Sequence, residues 1–104
     1  MKTIKGNLIM ESDMTFEEDL KVEGSISGKD GNRYNLIVKG DLDCYDLDCG
    51  NLDCGNLDCK GDVFYYAVAF AYNNIKCKSI KGRWKNARHF VLDGKIEISG
   101  EKLT

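Results

Sequence analysis

Residues 41–60 read DLDCY, DLDCG, NLDCG, NLDCK: four successive five-residue units, each with Asp or Asn first, Leu second, Asp third and Cys fourth. A period of five is neither the helical nor the strand period. Inside each unit, however, Leu-x-Cys alternates apolar, polar, apolar, as a strand does when one edge faces a core. Gly and Asn at the unit junctions let the chain turn. A chain that alternates over three residues and turns after five buries its Leu and Cys together only by coiling. The stretch therefore predicts a square-sectioned β-solenoid in which four units complete one coil.

The same inward pair recurs at looser spacing in Leu20-x-Val22, Leu36-x-Val38, Ile75-x-Cys77, Phe90-x-Leu92 and Ile96-x-Ile98, with glycines between. The absence of proline beside eleven glycines predicts turning by positive-φ corners. Residues 63–72, VFYYAVAFAY, alternate large and small, which favours a strand; a buried helix capped by Asp62 is the rival. Residues 11–20 are read as a short helix or as a cap on the solenoid's open end. The expected fold is one all-β domain over 1–104: a short right-handed β-solenoid or β-roll with one pentapeptide-like coil and room for a short N-terminal helix.

The units resemble the pentapeptide-repeat family, whose consensus reads A-(D/N)-L-x-x. The matching residues are Gly40-Asp41-Leu42, Tyr45-Asp46-Leu47, Gly50-Asn51-Leu52 and Gly55-Asn56-Leu57. Tyr45 departs from the small residue of the pattern, and Cys recurs where the family is variable. The segment YAVAFAYNNIKCKSIKGR followed by HFVLDG is similar to small proteins of Gram-positive bacteria and their prophages that have no assigned activity.

The N-terminal MKTIKGNLIMESDM has neither a long apolar run nor a small-residue cleavage site, so a cytoplasmic protein without a membrane partner is expected. Five cysteines in a reducing compartment point away from disulfides and towards metal ligation or buried thiols. If four walls surround one axis roughly 10 Å across, each thiol reaches the centre. Cys44, Cys49, Cys54 and Cys59 would then hold a structural zinc with bonds of about 2.3 Å. The other reading makes them small buried hydrophobes. Cys77 and His89 are the residues that could replace a ligand. With one histidine, no nucleophile triad and no phosphate loop, enzymatic activity is not expected.

Charge is segregated along the chain. Asp41, Asp43, Asp46, Asp48, Asp53 and Asp58 crowd the repeat, whereas residues 76–88 hold six Lys and Arg around Trp84. With Leu and Cys inward, the acids would form an outward ring. Pentapeptide-repeat solenoids include proteins that resemble duplex DNA in shape and charge. The resemblance therefore implies a phage counter-defence protein whose acids occupy the nucleic-acid groove of a host nuclease, in its sharpest form an anti-CRISPR acting on Cas9. The alternatives are a nucleic-acid-binding module using 76–88, with Trp84 stacking on a base, and a purely structural zinc-stapled phage protein.

Overall fold

The computed structural model describes residues 1–100, in which every regular element but one is a strand. The first coil is β1 (Lys2–Ile4), β2 (Leu8–Met10) and β3 (Met14–Phe16); the second is β4 (Leu20–Val22), β5 (Ile26–Gly28) and β6 (Leu36–Val38). The repeat supplies β7 (Leu42–Cys44), β8 (Leu47–Asp48) and β9 (Leu52–Cys54), and then β10 (Leu57–Cys59), which opens the fourth coil. That coil continues through β11 (Asp62–Tyr65) and β12 (Val68–Ala71), and a fifth contains β13 (Ile75–Cys77), β14 (Ser79–Gly82) and β15 (Arg88–Val91). Strand β16 (Ile96–Ile98) begins a sixth.

Each strand pairs in parallel with its counterpart one coil on. Wall A is β1-β4-β7-β10-β13-β16, wall B is β2-β5-β8-β11-β14 and wall C is β3-β6-β9-β12-β15. The molecule is a β-solenoid, but its section is triangular and not square. The fourth unit does not close the coil of the first three. It begins the next one, with Leu57 on Leu42 and Cys59 on Cys44 in register. One turn of the repeat is therefore fifteen residues, the interval that joins Asn56 to Asp41.

The core is what alternation demands. Leu42, Leu47, Leu52 and Leu57 of the repeat are buried, as are Cys44, Cys49, Cys54 and Cys59, with Leu20, Val22, Leu36, Val38, Ile75 and Cys77 continuing the columns above and below. Burying one such leucine contributes roughly 1.5–3 kcal/mol, and adjacent coils stack like on like.

Several expectations change. Residues 11–20 form no helix; they carry β3 and its flanking turns. Residues 63–72 are two strands with a corner at Tyr66 and Ala67. Val63 and Tyr65 point inward on wall B, Ala69 and Ala71 on wall C. In the last coil, Phe90 and Leu92 face outward while the inward positions fall to His89 and Val91. The run from Trp84 to Ala87 adds residues to this corner and resets the phase. Among the described residues, positive φ is confined to Gly6, Gly31 and Asp30. The corner glycines have a different reason, which lies in the side chains beneath them.

Candidate functional site

The first residue of each unit is an internal fitting. Asp41 Oδ1 accepts the backbone N–H of Asn56 at 3.0 Å and its Nδ2 at 3.0 Å, and Asp46 Oδ1 accepts the N–H of Asp62 at 2.8 Å. The pattern extends beyond the repeat. At the corner leading into wall A it runs from Asp19 through Asp41 and Asn56 to Asn74, whose Oδ1 accepts from Lys95. At the corner into wall C, Asp13 serves Asn35, Asn35 serves Asn51, and Asn51 serves Val68. Each Asx oxygen satisfies a corner donor that strand pairing leaves free. This also explains the glycines. A Cβ built on Gly40 would overlap Asp19 Oδ1, and one on Gly61 would overlap Asp46 Oδ1. The signal was in the sequence: Asp and Asn alternate freely at this position, as suits an acceptor oxygen and not a charge.

The third-position acids do face outward, but they are spread over three walls. Asp43 and Asp58 are neighbours on wall A, between Lys21 and Lys76 in the same ladder. Asp48 lies on wall B, where its Oδ2 accepts from Arg83 at 3.1 Å. Asp53 lies on wall C between Ile37 and Phe70. The carboxylates form a belt around the middle of the solenoid, and a partner on any one wall meets at most two of them.

The thiols follow the same geometry. Cys44, Cys49 and Cys54 enter from three walls of one coil, Cys59 sits one coil on beside Cys44, and Cys77 follows in the next. All five are free and buried. Burial pushes Cys49 and Cys54 up to about 12 and Cys77 to about 11. Cys44 and Cys59 are neighbours in the ladder, and their interaction lowers Cys59 and raises Cys44. The Cys59 thiol also donates to the Tyr45 carbonyl at 2.7 Å. A Cys₄ zinc needs four sulfurs around one point. Among the described residues no three Cys, His, Asp or Glu side chains converge in that way. The four-walled convergence that pointed to zinc is not present, and the donor set as arranged does not fit such a centre. His89 is also committed elsewhere: its Nδ1 lies 2.8 Å from the Tyr65 hydroxyl, and burial lowers its pKa.

The surface feature with most chemistry is wall C of the last two coils. Down its outward ladder run Thr15, Ile37, Asp53, Phe70 and Phe90. Phe70 packs on Phe90 at 5.0 Å between centroids and on Tyr72 at 5.4 Å. At one bordering corner, the Trp84 N–H donates to the Tyr66 carbonyl at 2.9 Å, so the two aromatics occupy successive coils. At the other corner stand Tyr72 and Leu92. Phe90, Trp84, Tyr66 and Tyr72 are 43–56% exposed. Residues 75–95 carry seven Lys and Arg against Asp93 alone, and Arg88 shares β15 with Phe90. Sequence reasoning took Trp84 and the basic run, but it placed Phe90 and Leu92 in the core and missed the wall.

These features define a three-walled parallel β-solenoid with Asx-laddered corners and an aromatic wall beside a cationic coil. Neither a family model, nor a curated protein, nor a solved structure matches the chain.

Proposed function

We propose that the protein is a non-catalytic binding module that holds single-stranded nucleic acid across wall C and the cationic fifth coil. One observation carries this reading: the exposed rings of Phe90 and Tyr72 both pack on the half-buried Phe70 between them, with Arg88 on the same strand as Phe90. Exposed rings offer bases a stacking platform worth roughly 1–3 kcal/mol each, and lysine and arginine supply the phosphate contacts. A duplex keeps its base faces stacked internally, so the same wall discriminates against it.

The test is fluorescence anisotropy with labelled single-stranded DNA and RNA and the matching duplex at low and high salt. Binding of the single strands that weakens with salt and with Phe90→Ala supports the reading. No binding at low salt, or equal affinity for the duplex, removes it.

The counter-defence reading keeps one favourable observation: residues 42–56 hold four aspartates and no cation, with Asp43 stacked on Asp58. In that case the protein would suppress DNA cleavage by a Cas9-type nuclease without binding nucleic acid, and Asp43→Lys with Asp58→Lys would abolish the effect. Undiminished cleavage at excess protein removes it.

A further inference from the structure

Of the five buried thiols, two form a pair across neighbouring strands. Cys59 stands on Cys44 in the β7–β10 ladder, and both side chains are buried on wall A. The other thiols lack such a neighbour. Cys54 lies beside Ala71. The β8–β11 ladder sets Leu47 on Val63 and Asp48 on Phe64, which leaves Cys49 beside Tyr65. Cys77 follows Cys59 one coil on, but the Cys59 sulfur is turned the other way. It lies 2.7 Å from the carbonyl of Tyr45, the residue after Cys44.

The spacing of that pair selects a coordination number. Adjacent strands stand about 4.8 Å apart, so inward side chains in register repeat at that interval. Two collinear metal–thiolate bonds of about 2.3 Å each span about 4.6 Å. An ion midway between the two sulfurs therefore fits with the strands unmoved, if it accepts two ligands in a line. Zinc in a structural site takes four, and among the described residues no third Cys, His, Asp or Glu joins the pair. Thiolates select soft ions. Among the biological ones Cu(I), singly charged and with a filled d shell, is stable with two ligands in a line.

We infer that Cys44 and Cys59 form a two-coordinate site for Cu(I). Binding displaces both thiol protons to solvent and leaves one net negative charge on the S–Cu–S unit. The Cys59 sulfur gives up its bond to the Tyr45 carbonyl and turns to the ion. Interaction with Cys44, and after it the Gly61 N–H, favours the Cys59 thiolate against the cost of burial. A surface cleft at the corner between walls A and B gives the ion a way in. It is lined by Lys21, Glu23, Asp43, Tyr45 and Lys60 and reaches Cys44. Glu23 and Asp43 balance the two lysines there, so no net positive charge repels a cation. The core is closed without the ion, which makes copper a ligand of the folded chain and not a staple that folds it. The site lies inside wall A, and wall C with its aromatic rings plays no part in it.

The experiment titrates the full chain with Cu(I) under anaerobic, reducing conditions against a competing Cu(I) chelator. Copper retained after desalting is counted, and copper X-ray absorption of the loaded protein reads its neighbours. The expected result is one equivalent of copper with two sulfurs in a line and unchanged circular dichroism. Cys44→Ala and Cys59→Ala should each abolish retention, whereas Cys49→Ala, Cys54→Ala and Cys77→Ala should keep it. Alanine suits the core, since Ala71 holds the corresponding buried place beside Cys54. No copper held against the chelator overturns the inference, and so does a shell of three or four sulfurs. Full retention in a folded Cys44→Ala or Cys59→Ala overturns it as well. If circular dichroism shows either variant unfolded, the sulfur count in the parent protein decides.

Discussion

The corner ladder predicts that two aspartates of the same unit, two residues apart, differ in what they do for stability. Asp41→Ala removes the oxygen that accepts both the N–H and the Nδ2 of Asn56, and leaves that half-buried backbone donor without its partner. The closest analogue is loss of a helix N-cap, about 1 kcal/mol. The second, side-chain bond brings the expectation to about 1–2 kcal/mol. Asp41→Asn keeps an acceptor oxygen in place and should stay within about 0.5 kcal/mol of the parent. Asp43→Ala and Asp58→Ala, which relieve a stacked pair of carboxylates on wall A, should cost no more than about 0.5 kcal/mol. Urea unfolding followed by circular dichroism reads all four, compared by midpoint at a common slope. For a chain of this length, 1 kcal/mol is also about 4–8 °C in Tm. If Asp58→Ala costs as much as Asp41→Ala, or if Asp41→Asn is as damaging as Asp41→Ala, the division into corner acceptors and surface charges is wrong.

Other predictions follow from the same geometry. Gly61→Ala drives a methyl into Asp46 Oδ1 and should destabilise the fold; the double variant with Asp46→Gly should recover part of the loss in the same urea assay. Cys49 and Cys54 are buried with pKa values of about 12 against an ordinary 9.0. The unfolded chain therefore loses these protons first, and stability, full below pH 9, should fall as pH rises from 9 towards 12; a flat profile in equilibrium unfolding would contradict the burial. Of the five thiols, Cys59 should be the first alkylated in the native state, as peptide mapping after brief labelling would show. The three-walled arrangement predicts substoichiometric zinc in protein purified without added metal; one equivalent that resists chelation and is lost in Cys54→Ser would restore a Cys₄ centre.

The sequence made the coiled all-β architecture readable because Leu-x-Cys alternation and a fixed turning interval leave few alternatives. Leu36, Val38, Ile75 and Cys77 could be placed inward for the same reason. The failures fall where the interval breaks. The residues inserted before β15 shift its phase, so a pattern read from Phe90 and Leu92 points the wrong way, and the aromatic wall is lost with it. The Asx positions were visible, but a charged residue was read as surface charge. Only the spatial stacking of one coil on the next shows that Asp41 faces the N–H of Asn56.

The wall count and the metal were a single inference. Four five-residue walls leave an axial space between short cysteine side chains, and a zinc on the axis is one way to fill it. Three walls bring Leu42, Leu47 and Leu52 of one coil together, with Cys44, Cys49 and Cys54 as the second inward set, and all six are at most 2% exposed. Close packing of that kind needs no ion. The narrow section also explains why Cys and Ala suit the positions they hold. On wall C, Cys54 lies beside Ala71, and on wall B the large second inward residues Met10 and Tyr65 lie beside Gly28 and Gly82, so neighbouring coils share the space along the axis. The period of five therefore fixes how often the chain turns, while the packing of three walls around one axis fixes how many turns close a coil.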